Sequence, residues 1–428
     1  LLIYSLHNTN RLRYIVEVVL GNAVEITSDK TLFYHHEGVK INYSTEPIHP
    51  TEIRIEPQGL LFEEGIQKQA ITAFEWNGLV AFFKTDGTIP FDVFAAAFYL
   101  ITRYEEYLPH AKDSYGRFAH TESLAFKHQF LHQPLVNLWI RHLNDLIQSV
   151  YPNYTKPTQQ FSYVPTYDID IAYAYKGKGV WRQIAAIGMD VVKQRFHTIK
   201  ERFAVLRGIT KDPFDVYDWL IEYHQRYQLQ PIYFFLLAKA RGKYDKNISP
   251  NNKQVKKLIQ SIQQQYKIGI HPSWQSHNDE IMLQREKHKL AAIAQQPIQS
   301  ARQHYIQFTL PYTFRCLLAA GITNDYSMGY GSINGFRASY TNSFYWYDVM
   351  REEQTALLLH PFCYMEANSF FEQGYTADQA RAELQQYHDI VQSVNGQLIT
   401  IFHNHFITEQ PQWLAWRNMY ADFLKANF

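Results

Sequence analysis

The spacing of apolar and polar positions changes character near residue 160. Before it, the short apolar runs AVEIT, KTLFYHH, VKINYST, EIRIEP and LVAFFK read as strands, and apolar residues at helical spacing predict helices over 12–20, 91–106 and 134–150. Residues 151–160 (YPNYTKPTQQ) are polar, carry two prolines and read as a linker. Beyond them, seven apolar runs predict strands over 161–170, 231–238, 266–272, 301–305, 322–325, 356–363 and 398–403, with helices over 216–227, 252–266, 279–295 and 376–394. Strands alternating with helices imply a parallel sheet. The expected fold is therefore α/β: a distorted seven-stranded β/α barrel over 161–428, preceded by a smaller α/β domain over 1–150 and the linker 151–160.

Composition narrows the function classes. With 41 basic and 40 acidic residues the chain has no large field of one sign, so nucleic acid is not an expected partner. Cys316 and Cys363 lie too far apart for a CxxC zinc site and read as buried thiols. No apolar window approaches the length of a transmembrane helix, and the first twenty residues are broken by His7, Asn8, Asn10, Arg11 and Arg13, so no signal peptide is read there and a cytoplasmic location is expected. Aromatic residues make up 16% of the chain, a high share that suits a sugar-binding cleft, although core packing is their commoner use. The basic, amphipathic stretch 173–211, with Lys193, Arg195, Lys200, Arg202 and Arg207, reads as an inserted helical segment with a solvated face.

Candidate chemistry gathers at the ends of the predicted strands. FSYVPTYDID ends in Asp168 and Asp170, whose spacing puts both on one face of an extended strand. GIHPSWQSH places His271 at a strand end, SARQHYIQF offers Arg302 and His304 two positions apart, GITNDYSMGY offers Asp325 and Ser327, and QLITIFHNH breaks at His403. A β/α barrel collects its active site at such ends. Each residue also has a structural reading: aspartates as turn formers, His271 bonded to backbone, His403 in the core, Arg302 paired with Asp325. Five strand ends carrying Asp, His or Arg are hard to obtain from packing alone.

The order and spacing of these residues resemble the polysaccharide deacetylases of the NodB homology type, over residues 161–406. In that family T-F-D-D supplies a general base and then a metal ligand; the matching stretch here is Thr166, Tyr167, Asp168, Ile169, Asp170, with the aspartates one residue further apart. The family's H-[ST]-x-x-H motif is matched at His271, but Gln275 stands where its second histidine belongs. Arg302 matches the arginine that orients the base, without the proline and glycine that usually follow, and His403 matches the terminal histidine acid. RYEEY at 103–107, DSYGRF at 113–118 and GFRA around Arg337 resemble a divergent bacterial branch that joins this barrel to an uncharacterised N-terminal domain.

The resemblance implies a divalent metal ion, with zinc expected, held by Asp170, His271 and a third ligand. His304 is the expected third ligand, with His277 as the alternative. Asp168 would be the base, Arg302 its orienting partner and His403 the acid, while Asp325, Ser327 and Arg337 are candidates for substrate binding. The implied reaction is removal of an acetyl group from an acetylated carbohydrate. Two other readings stay open: hydrolysis of a C–N bond in a small amide, and an idle barrel that binds glycan or protein, which the departure at Gln275 supports. An open groove with aromatic walls would favour glycans, and a closed pocket small amides.

Overall fold

The computed structural model of the chain describes residues 1–21, 23–157, 159–239 and 242–428. Thr158 of the expected linker lies outside the described residues. Four short strands, β1 (Leu2–Tyr4), β2 (Glu25–Thr27), β3 (Lys40–Asn42) and β4 (Ile53–Arg54), form a parallel sheet in the order β2-β1-β3-β4. A hairpin follows, β5 (Phe74–Trp76) and β6 (Leu79–Ala81), turning through Asn77 and Gly78, both at positive φ as a two-residue loop of this kind requires. KTLFYHH, expected as a strand, is a helix over Lys30–His35. The Asp29 side chain accepts from the Thr31 and Leu32 amides, and that cap overrides the β preference of the aromatics.

The remaining strands are β7 (Ser162–Ile169), β8 (Ile232–Leu236), β9 (Lys267–His271), β10 (Ser300–Ala301), β11 (Asn324–Asp325), β12 (Phe344–Asp348), β13 (Glu353–Leu359), β14 (Tyr364–Met365) and β15 (Gln397–His403). They form one sheet in the order β12-β13-β11-β10-β9-β8-β7-β15-β14, parallel except for the β12–β13 pair. All seven expected strands are present, six of them shorter than expected and β15 one residue longer. The expected seven-stranded barrel is corrected in two ways. The sheet has nine strands, and among the described residues no ladder joins its edges β12 and β14 into a closed barrel. Both extra strands evade periodicity, β14 because it has only two residues and β12 because a register shift between Tyr345 and Tyr347 breaks its alternation.

Pro165 sits within a strand flanked on both sides, yet the β8 ladder begins only at Thr166, so the proline has a paired neighbour on the β15 side alone. The sheet is buried on both faces. Tyr167 and Tyr233 point to the helical layer, where Tyr167 Oη meets His224 and Tyr420, while Thr166 and Asp168 point to the opposite face.

One continuous apolar core runs through both parts of the chain, including Phe94 and Trp139 from the first and Trp346 and Leu398 from the second. Buried charges cross it. Glu106 accepts from Arg103 Nε at 2.8 Å and, in a fork, from Arg337 Nε and Nη2 at 2.8 and 2.6 Å. Arg337 also donates to the Gly329 carbonyl, and its guanidinium lies 4.1 Å from the centre of the Phe308 ring. Arg337 is thus withdrawn from the substrate-binding role expected of it: at 1% exposure, its side chain ties RYEEY to GFRA. The two parts are also joined where Arg11 Nε donates to Glu352 Oε2 at 2.9 Å and Tyr14 Oη to the Tyr345 carbonyl at 2.8 Å.

Burial by itself would raise the Glu106 carboxyl, but the two guanidiniums hold it down at about 2. Replacing Glu106 by Gln leaves two buried cations short of their shared anion and is expected to cost about 3–5 kcal/mol, measured by denaturant unfolding. Because the folded pKa is depressed, this stabilisation is complete above the unfolded value of about 4.3 and is lost as pH falls toward 2. The Gln variant should therefore show a flatter dependence of stability on pH across that window.

Candidate active site

Neighbouring parallel strands deliver the site side by side. Thr166 and Asp168 share one face of β7, and Asp170 follows just past its end. On one side β15 sets His403 in register opposite Asp168; on the other, β8 pairs with Asp168 at Phe234 and with His271 of β9 at Leu236. The next strand, β10, ends at Ala301, so Arg302 and His304 lie beyond it and not on the strand predicted there. Strand alternation consequently does not account for their convergence. Arg302 reaches inward directly, and His304 arrives through a 3₁₀ turn over His304–Ile306.

Asp170, His271 and His304 form a cluster whose ligand atoms all lie within 4.8 Å of one another. Nε2 of His271 is 3.3 Å and Nε2 of His304 3.6 Å from Asp170 Oδ1, an oxygen that is buried and accepts no hydrogen bond among the described residues. The opposite ring nitrogens are fixed: His271 Nδ1 meets the Arg302 carbonyl at 2.6 Å, and His304 Nδ1 meets Asp245 Oδ1 at 3.0 Å. Since those acceptors place the ring proton on Nδ1, a neutral imidazole turns the Nε2 lone pair toward Asp170. Two such lone pairs and an unpartnered carboxylate oxygen make a donor set that could hold a divalent cation, with outer partners of the kind that orient metal-binding histidines. Without a cation, burial would lower the His304 pKa, yet Asp170 and Asp245 raise it to about 9.

Next to the cluster stands Asp168. Its Oδ1 accepts from Arg302 Nη1 at 3.0 Å, and its Oδ2 is 3.8 Å from His271 Nε2. Arg302 is wholly buried, donates further to Thr166 Oγ1 at 2.6 Å and the Tyr326 carbonyl at 3.0 Å, and lies 4.5 Å from the Phe234 ring centre. His403 faces the cluster from the other side, with Nε2 3.9 Å from Asp170 Oδ2. Its Nδ1 meets Glu366 Oε1 at 2.8 Å, and the same oxygen accepts the His403 amide. Burial lowers and Glu366, Asp170 and Asp168 raise the His403 imidazole, with a net rise to about 10. Burial also raises the Glu366 carboxyl; the two donors converging on Oε1 favour its ionised form.

These side chains open into a cleft of about 610 Å³ with Tyr115, Tyr244, Tyr305, Phe371 and Phe406 in its walls. A larger cavity of about 830 Å³, by Tyr14 and Arg141, contains no comparable cluster, so the chemistry and not the volume picks out the site. Tyr305 and Ile306, just after His304, both have φ near +55, an unusual conformation for a β-branched or bulky residue and one that concentrates at functional sites. The turn is held from outside: Arg117 Nη1 donates to the Tyr305 carbonyl at 2.7 Å, while its Nε binds Asp113 at 2.7 Å. Gly331 leaves room for this approach, since a Cβ there would lie 2.1 Å from Arg117 Nη1.

Several contributors were not read from the sequence. Asp245 is a loop residue with no periodic signal, and Glu366 follows a two-residue strand. Tyr115 and Arg117 belong to DSYGRF, a segment that carries no catalytic spacing in the sequence. Conversely, Asp325 and Ser327 are not among the residues lining the cleft. Asp325 is fully buried and accepts from the Ser327 amide and hydroxyl at 2.9 and 2.8 Å; Ser327 Oγ accepts from the Gln303 amide at 2.9 Å. They brace the turn between Arg302 and His304 where substrate contact was expected. His277 also lies apart from the cluster, its Nδ1 on the Trp274 carbonyl, and Gln275 is exposed.

Residues 1–152 match the model of a family of unknown function (DUF7033). No curated protein matches the chain. Among solved structures, a Mycobacterium smegmatis protein assigned as a polysaccharide deacetylase is 13% identical with a TM-score of 0.41, covering 64% of this chain and 87% of its own. The polysaccharide deacetylase of Bacillus cereus is 11% identical with a TM-score of 0.30, covering 63% and 88%. A mutant CE4 family pseudoenzyme with restored enzymatic activity is 8% identical with a TM-score of 0.30, covering 64% and 65%. At such scores the functional reading has to rest on the residues of the site.

Elemental analysis of purified variants tests the donor set. His304→Ala is expected to lose most of its bound divalent metal, and His277→Ala to keep it at the level of the unmodified chain. Full occupancy in the His304 variant would remove that residue from the set.

Proposed function

We propose that the chain is a metal-dependent hydrolase that removes an acetyl group from an acetylated sugar or glycan, cleaving an amide or ester bond. The observation that carries this reading is the convergence of Asp170 Oδ1, His271 Nε2 and His304 Nε2, flanked by Asp168 on one side and His403 on the other. Asp170, His271 and His304 would hold a divalent ion, for which the mixed nitrogen and oxygen donors suit zinc. When bound, such an ion polarises a carbonyl and acidifies water.

The chain's own groups supply the proton transfers. Asp168 takes the proton of the attacking water, and Arg302 holds that carboxylate in place. His403, charged at neutral pH through Glu366, gives its proton to the leaving nitrogen or oxygen. A base and an acid with opposite protonation states then act on the two sides of the scissile bond. The aromatic walls support a sugar substrate over a small amide: Tyr115 and Tyr305 stack at 5.5 Å, and Phe371 is 62% exposed. An idle site drew its support from Gln275, which His304 makes dispensable in this scheme. The division into an N-terminal domain over 1–150 and a catalytic unit over 161–428 belongs to the same proposal, with residues 113–118 of the former walling the latter's cleft.

Asp168→Asn is expected to lower turnover of an acetylated oligosaccharide by on the order of a thousandfold while metal content stays nearly unchanged; Asp170→Asn should lose the metal first. An exchanged pattern would reverse the two roles. The pH profile gives a separate check. His403 acts while protonated, so activity falls as pH rises through its raised pKa. Removing the Glu366 charge lowers that pKa, and Glu366→Gln should therefore move the alkaline limb of kcat/KM downward by on the order of one pH unit. A profile unmoved in the Gln variant would rule out this pairing as the source of the acid.

A further inference from the structure

The segment inserted between Asp170 and the helix Tyr217–Arg226 carries a surface that the site does not use. Two helices, Val180–Val192 and Phe196–Leu206, form a hairpin. Inside it, buried Arg202 donates to Asp190 at 2.8 Å and Gln183 at 2.7 Å, and its guanidinium lies 4.8 Å from the Tyr175 ring centre. The expected solvated face is there in the exposed Lys193, Arg195, Lys200 and Arg207, but the hairpin also exposes apolar side chains. Trp181 is 84% exposed, Val192 77% and Val180 73%, and Phe196, Phe203, Leu206 and Ile209 are exposed as well. Val180, Ile184, Ile187 and Val191 follow one helical stripe with Trp181 and Val192 beside it; Phe196, Ile199, Phe203 and Leu206 follow the other. A contiguous apolar surface of this kind marks an interaction site.

Charge decides what covers it. Residues 176–211 hold nine Lys and Arg against two Asp and Glu, in a chain that has 41 against 40 in all. Both acids are engaged within the segment, Asp190 by Arg202 and Glu201 by the Tyr175 hydroxyl at 2.5 Å. Exposed Lys193 and Arg195 lie in the turn between the helices, while Lys200 and Arg207 flank the second stripe. A second copy of the chain docking here would set these cations against their own kind across a two-fold axis. An anionic bilayer meets both demands, because its headgroups take the cations while its acyl boundary takes the apolar stripes. The longer helix has 13 residues, too few to span a bilayer, so the hairpin suits a position in the interfacial plane.

We propose that this hairpin docks the chain on the surface of an anionic phospholipid bilayer, with Trp181, Val192 and Phe196 inserted among the headgroups. The inference is independent of the hydrolase reading. It does add an orientation, because the insertion leaves the sheet directly after Asp170, at the strand end that carries the cleft.

Sedimentation of the full chain with phospholipid vesicles tests the proposal. Binding is expected to vesicles of equal parts phosphatidylglycerol and phosphatidylcholine, weakening as salt is raised, with none to phosphatidylcholine alone. Lys193→Gln, Arg195→Gln and Lys200→Gln together should weaken it by roughly a hundredfold, at about fivefold per charge. Trp181→Glu with Val192→Glu should abolish it, while circular dichroism and metal content stay unchanged because both side chains are exposed. The proposal is overturned if the unmodified chain leaves anionic vesicles unbound or binds neutral vesicles equally. It is also overturned if light scattering without vesicles finds a dimer that Trp181→Glu dissociates, which would make the hairpin a self-association surface.

Discussion

A single buried cation, Arg302, organises the candidate site. A guanidinium with no exposure to water is tolerated only where its charge is balanced and most of its donors are used. Asp168 provides the balance, and Thr166 and the Tyr326 carbonyl take further donors, so β7, the loop after β10 and the loop after β11 meet on one side chain. The same residue's carbonyl accepts from His271 Nδ1 and thereby turns Nε2 of that ring toward Asp170. Its amide completes the β9 edge by donating to the Ile270 carbonyl. One residue thus fixes the carboxylate proposed as base and the tautomer of a proposed metal ligand, and both are coupled to the packing of the sheet.

Much of this arrangement is legible in the sequence because strands impose simple rules. The period of two puts Thr166 and Asp168 on one side of β7 with Asp170 just past its end, and a histidine that ends an apolar run, as His271 and His403 do, sits where parallel strands open. Those rules stop where the strands stop. Arg302 and His304 were expected on a strand that ends before them, so they converge for reasons of loop geometry that alternation does not contain. Asp325 and Ser327 show the converse. Their position at a strand end suggested contact with substrate, but the short strand and the amide of Gln303 bind them into a brace. Glu366 and Asp245 are invisible to periodicity for another reason: each matters only through the imidazole it orients, a relation that exists once the chain has folded.

The first 152 residues look separable by pattern, yet their charges are not. Glu106 is the shared anion of Arg103 from its own segment and Arg337 from the far end of the chain, and Arg117 reaches the Tyr305 carbonyl. Ion pairs buried this deeply are costly to form and more costly to break, so they define how the parts fit more than they add to net stability. That accounts for RYEEY, DSYGRF and GFRA as one structural unit, although more than two hundred positions separate the first from the last.

The departure from the H-x-x-x-H spacing at Gln275 has a physical consequence. A histidine four residues after His271 would be presented by the same loop, whereas His304 comes from the neighbouring strand's end and must turn sharply to reach Asp170. The backbone after it takes left-handed φ values at Tyr305 and Ile306, at a typical cost of about 1–3 kcal/mol each. Such a turn persists only where its surroundings over-determine it. Here Asp245 holds the ring, Asp325 through Ser327 holds Gln303, and Arg117 holds the Tyr305 carbonyl, so three separate contacts offset the strain on one short turn. The N-terminal part of the chain is therefore bound to the geometry of the cluster itself, because the last of those contacts is its own.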